Sequence, residues 1–236
     1  MAGIIAALSS YTSVIVPTPL MPSARFQRAL FTLAWANVAL HGLGVAVAWF
    51  GMRSGSIAAP LNERMAYIAS RPAGWIGGWG LWMICALLLV AFMAVLRGHL
   101  PAPDPAADLA LALSAAGMGV DLLCDVIQIQ VLPLAAAAGP GQITPFLLLE
   151  RLAFTGGTTV ANGLYTISVV LMTVGLRRST PATRFAGWAT GVSGAVMVLS
   201  GLVVSPALLL ASTGPTIGFF SLWTVLVARD LRQDGR

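Results

Sequence analysis

Six apolar runs, each long enough to cross a bilayer, constrain this chain more than any other feature. A spanning helix needs about 20 consecutive apolar residues. Runs of that kind occupy residues 28–51, 74–97, 106–134, 146–176, 184–205 and 207–229, separated by Pro, Gly and Arg. Hydrocarbon offers no water to satisfy backbone N–H and C=O groups, so each run must be a helix. The predicted fold is all-α: one domain over 1–236, a polytopic integral membrane protein built as a six-transmembrane-helix bundle. The fourth run is long enough to tilt or to project beyond the bilayer. The fifth and sixth are joined by little more than Ser205-Pro206, which makes them antiparallel neighbours.

Composition narrows the function classes. At 58% hydrophobic and 9% charged residues, with a mean hydropathy of +0.87, the chain lies well outside soluble composition. All 13 basic residues are Arg. The absence of Lys excludes a Schiff base to retinal or pyridoxal. The net charge of +5 does not point to nucleic acid, because the arginines stand at the ends of the runs, where topology explains them. Cys85 and Cys124 form no CxxC pair and read as small apolar packers. His99 falls between the second and third runs, leaving His41 alone inside the apolar runs, so haem ligation by two histidines has no support. No compact metal-ligand motif is present either, and no cofactor is expected.

The first residues, 1–27, lack the basic start of a secretory signal and are broken by Pro17, Pro19 and Pro22; they read as a cytoplasmic or interfacial tail. With that tail inside, the inner segments carry Arg25, Arg28, Arg97, Arg177, Arg178, Arg184, Arg229, Arg232 and Arg236, and the outer ones Arg53, Arg64, Arg71 and Arg151. Nine against four predicts both termini in the cytoplasm. In overall form the chain is similar to small six-helix bacterial membrane proteins, which implies a bacterial cytoplasmic membrane. Its outer loop contains "LNERMAYIASRP", an amphipathic stretch suited to a short helix lying on or lidding the bundle, with Glu63 and Arg64 as a solvated pair or, alternatively, part of a lid or gate. Gly187, Gly191, Gly194 and Gly201 lie near one face of the fifth helix, which fits close helix approach within the bundle or between protomers. The pair Gly214-Pro215 is expected to kink the last helix, or to break it and free carbonyls that could bind a ligand or a cation.

The polar residues within the apolar runs suggest a site. Positions i, i+4 and i+7 share a helical face. Asp121, Asp125 and Gln128 therefore form one stripe on the third helix, extended by Gly117 and Ser114. Arg151, Thr155, Thr158, Asn162 and Tyr165 form another on the fourth, and Asn37 and His41 a third on the first. At about 1.5 Å per residue, Asp125 lies about 12 Å, His41 about 15 Å and Asp121 about 18 Å from the outer boundary. Ionisable groups at that depth cost about 2.5–3.5 kcal/mol each, so they turn away from lipid. A polar pocket among the first, third and fourth helices follows.

Two uses of that pocket compete. A purely structural network would pair Asp125 with Arg151, and Asp121 with His41 or Asn162. A functional one would use Asp121, Asp125 and His41 as catalytic groups, with Asn37, Gln128, Arg151, Thr155, Thr158, Asn162, Tyr165, Trp79 and Trp82 holding a substrate. The stripe Trp75, Trp79, Trp82 either packs or faces lipid, or walls a hydrophobic ligand. Glu150, about 100° around the helix from Arg151, reads as interfacial. The leading expectation is an intramembrane enzyme, such as an isomerase, cyclase or transferase, or a binding protein, for a lipophilic small molecule of isoprenoid or lipid type. A proton-coupled transporter or channel is the second, and an accessory subunit of a larger membrane complex the third. Expected partners are membrane lipids and that small molecule, with a homo-oligomer as a further option.

Overall fold

The computed structural model describes residues 24–234, and within them the predicted all-α bundle is present. Six helices are long and apolar enough to span a membrane: α1 Arg25–Gly51, α3 Pro72–His99, α4 Pro105–Ala137, α5 Ile143–Gly175, α6 Pro181–Leu202 and α7 Pro206–Gln233. A shorter helix, α2 (Leu61–Ser70), is the amphipathic stretch of the long loop. Most of the expected tail lies outside the described residues, but Arg25, Phe26 and Gln27 belong to α1, so that helix begins earlier than predicted.

Local signals explain the helix starts. Pro72, Pro105 and Pro181 stand at N-terminal helical positions, where their missing N–H costs nothing. Asp104 and Thr180 cap α4 and α6 by accepting from Ala107 and Thr183 backbone N–H. Between α6 and α7 the chain reverses through Val203–Ser205, with Val204 at φ 49°, in the left-handed region. Of the two expectations for Gly214-Pro215, an outright break is not what the structure has. The helix continues through Pro215, with hydroxyls of Ser212, Thr213 and Thr216 bonded to carbonyls of the preceding turn.

Each spanning helix packs against the next in sequence, and α7 returns to α1, so the six close a ring. Antiparallel α5 and α6 are fitted by small residues: Gly187, Gly191, Gly194 and Gly201 receive Thr173, Val170, Thr166 and the Thr158–Thr159 pair. The glycine face therefore serves packing within the bundle. The interior of the ring is filled at both ends. At the face carrying the termini, Leu30, Phe92, Met93, Leu96, Val169, Met172, Trp223 and Val227 form the larger apolar core. At the opposite face, which carries the long loop, Met52, Met65, Ile68, Trp75, Leu132, Ala136 and Phe146 form a smaller one beneath α2. Between the two cores the ring is hollow.

Candidate functional site: a lidded cavity inside the helix ring

Three places in the described helices widen into π turns: Val47–Gly51 in α1, Ile127–Val131 in α4 and Gly156–Ala161 in α5. All three border the hollow. Pro133 accounts for the second, since it cannot donate to the Ile129 carbonyl and would crowd it in a regular turn. The glycines Gly156 and Gly157 open the third. Such turns release carbonyls, and one is reused: Gln128 O accepts from Trp75 Nε1 at 2.8 Å, while Gly157 O, already taking the Asn162 backbone N–H, also accepts from Asn162 Nδ2 at 2.8 Å.

The cavity has a volume of about 310 Å³, and all six spanning helices contribute to its wall. Ligand cavities commonly run from about 300 to 1,000 Å³, so it is large enough for a small molecule. His41, Trp79, Trp82, Asp121, Asp125, Gln128, Thr158, Asn162 and Tyr165 line it. Three further residues of the predicted set do not. Asn37 is fully buried elsewhere, donating to Leu33 O and Leu88 O at 2.9 and 3.2 Å and so tying α1 to α3. Arg151 is exposed, and Thr155 is half-buried outside the lining. The cause is the π turn of α5. Counting back from Asn162, one extra residue moves the inward face from Arg151 and Thr155 to Glu150 and Phe154, both of which line the cavity.

The pairs of the structural network do not form. Asp121 Oδ2 accepts from the Tyr165 hydroxyl at 3.3 Å, while His41 Nδ1 donates to Asn37 O at 3.0 Å. Asp125 is 1% exposed, and among the described residues nothing hydrogen-bonds to its carboxyl group, its Oδ2 being buried without a partner. Gln128 Oε1 and Trp79 Nε1 are likewise buried and unpartnered. Buried polar groups ordinarily find partners, and three of the residues that carry an unpartnered atom lie together in the wall of this cavity.

Aromatic rings supply much of the rest. Trp75 and Trp79 meet edge to face at 5.8 Å, and His41 bridges Trp82 and Phe220 at 6.3 and 5.3 Å. The tryptophan stripe thus faces the hollow. Gly44 lets this happen, since a β-carbon there would stand 3.2 Å from the Trp82 indole. Cys85 and Cys124 are buried free thiols in the same wall.

One end of the cavity is roofed by Met52–Ala58, and α2 holds this roof down. Arg64 does not form a solvated pair with Glu63. Its Nε and Nη2 donate to Glu150 Oε1 and Oε2 at 2.8 and 2.7 Å, and its Nη1 donates to Ala59 O at 2.6 Å. A carboxylate within an apolar span needs a cation, and Arg64 is near enough through the fold to supply it. Tyr67 donates its hydroxyl to Gly51 O. Gly55 sits beneath Tyr67 and Trp75, where a β-carbon would come within 2.8 and 2.6 Å of their rings. Sequence reasoning missed the Arg64–Glu150 pair, the roof residues and the contributions of α6 and α7. Only Glu150, a charge inside an apolar run, carried a readable signal.

Chemically, the wall offers the Asp121 and Asp125 carboxyls one turn apart, the Glu150 carboxylate held by Arg64, an imidazole, a phenol, two amides and aromatic rings. Among the described residues its basic side chains are His41 and Arg53, and Arg53 stands near the roof, its guanidinium 6.0 Å from the Trp49 ring. Compared with known proteins, the chain matches no family model, no curated protein and no solved structure.

Proposed function

We propose that this protein is an intramembrane enzyme or binding protein for a lipophilic small molecule of isoprenoid or lipid type, with Asp121 and Asp125 as its proton-transferring groups. The observation that carries the reading is the cavity itself: a largely apolar, aromatic-walled space within the bundle, with both carboxyls and His41 in its lining. A carboxyl pair positioned against a bound molecule is suited to moving a proton between two of its atoms. His41, Asn162 and Tyr165 orient the molecule or the carboxyls, and Trp79 and Trp82 hold its apolar part.

The cavity's shape favours this reading over the alternatives. Phe92, Trp223, Met93 and Leu96 close the path to the face carrying the termini, which supports a blind site rather than a channel or a proton-coupled transporter. The unpartnered groups Asp125, Gln128 and Trp79 are unlike the satisfied network that an accessory subunit needs only for helix register. The distribution of nine arginines against four supports both termini lying in the cytoplasm, with a bacterial cytoplasmic membrane as the setting.

The test is to purify the protein without detergent, in a lipid-copolymer particle, and to identify co-purifying molecules by mass spectrometry. Wild type is expected to carry a lipophilic molecule in stoichiometric amount, which Asp121→Asn and Asp125→Asn reduce or fail to turn over while remaining folded. If both variants retain the molecule and any turnover unchanged, the site assignment is wrong. Proton-gradient-dependent flux in liposomes would instead favour the transporter.

A further inference from the structure

Resting on that reading, we infer that the ligand is an amphiphilic amine: a protonated ammonium head bearing N–H donors, seated against Asp125 and Gln128, with an apolar tail along the tryptophan stripe. Charge comes first. Glu150 is answered by Arg64, but among the described residues Asp125 has no cation or hydrogen-bond donor, and Asp121 has only the Tyr165 hydroxyl. In a site walled by apolar side chains an uncompensated carboxylate is costly, and a positive ligand removes that cost.

Donor and acceptor count comes second. Two of the three unpartnered atoms, Asp125 Oδ2 and Gln128 Oε1, accept, and a primary or secondary ammonium brings the N–H groups they lack; the third, Trp79 Nε1, is a donor that the ammonium does not answer. A quaternary ammonium has no N–H to give, and a phosphate brings negative charge against the carboxyls. The aromatic wall comes third: Trp75, Trp79 and Trp82 line the cavity with π faces and edges, and indole faces attract a cation. A space of about 310 Å³ takes the head and the first part of a chain.

Binding is tested on the full chain in neutral, zwitterionic nanodiscs, following tryptophan fluorescence during titration with decylammonium chloride, decanol and decyltrimethylammonium chloride. Decylammonium should bind saturably and one to one, about tenfold or more tighter than decanol, as a charge-assisted hydrogen bond implies. It should also exceed decyltrimethylammonium. Asp125→Asn should reduce the preference over decanol to near unity while decanol binding persists. Gln128→Leu should weaken decylammonium alone, and it serves the same comparison if the aspartate variant does not fold. Saturable decanol binding that decylammonium does not surpass, or a preference that survives both substitutions, overturns the amine assignment and leaves the lipophilic-ligand reading standing. Saturable binding of none of the three overturns both.

Discussion

Arg64 and Glu150, 86 residues apart in sequence, form a bidentate ion pair that joins α2 to α5 and, through the bond from Arg64 to Ala59 O, holds the roof over the cavity. Both side chains are about nine-tenths buried, at 11% and 10% exposure. Removing one partner leaves the other charge buried and unanswered. Glu150→Leu or Arg64→Met is therefore expected to cost about 3–5 kcal/mol. The double variant Arg64→Met/Glu150→Leu should cost less than the sum of the singles, since no lone charge remains. Thermal unfolding of the four proteins in one detergent checks this, and protease cutting within residues 52–60 reports whether the roof has loosened.

The packing of α6 on α5 makes a second prediction. A β-carbon at Gly187 would collide with Thr173, whereas one at Gly119 on α4 meets nothing within 4 Å. Gly187→Ala should destabilise by about 1–3 kcal/mol through overpacking. Gly119→Ala should be neutral or stabilising by up to about 1 kcal/mol, from the helix propensity of Ala. Equal melting temperatures for these two variants would contradict the assigned interface.

Trp75 ties α3 to the π turn of α4 through its indole N–H and the Gln128 carbonyl. Trp75→Phe keeps most of the apolar contact and removes the donor. The expected loss is about 1–3 kcal/mol, the cost of an unpaired buried carbonyl. Amide exchange within Ile127–Val131 should rise with it.

The apolar core next to the cavity supplies a fourth prediction. Phe92 is fully buried and meets Trp223 edge to face at 5.8 Å. Phe92→Ala should cost about 3–5 kcal/mol, with the cavity extended toward the face carrying the termini. A longer-chain ligand should then bind relatively better than in wild type, measurable by the same fluorescence titration.

What the sequence reveals and what it hides follow from the range of each interaction. Bilayer thickness imposes a length on every span, so the six helices are readable from apolar runs alone. The glycine face of α6 and the stripe Asp121, Asp125, Gln128 are readable because each lies within or at the edge of regular helix, where spacing gives direction. The stripe on α5 crosses Gly156–Ala161, and there a wider turn defeats a count made at 3.6 residues per turn. Such a count turns Arg151 and Thr155 inward in place of Glu150. Met197, Leu209 and Thr213 complete the wall from α6 and α7, yet nothing in an apolar or hydroxyl residue on a membrane helix distinguishes a cavity face from a packed one. The partnership of Arg64 with Glu150 is a property of the closed ring, and only the fold brings the two together.

The most direct test of the central claim is a density map of the protein extracted with its native lipids, without detergent, at a resolution that shows ordered small molecules. The account predicts continuous non-protein density between the tryptophan stripe and Asp125, closed off by Phe92 and Trp223 at one end and by Met52–Ala58 at the other. Side chains meeting across the ring with no cavity, or a file of water reaching both faces, would contradict it.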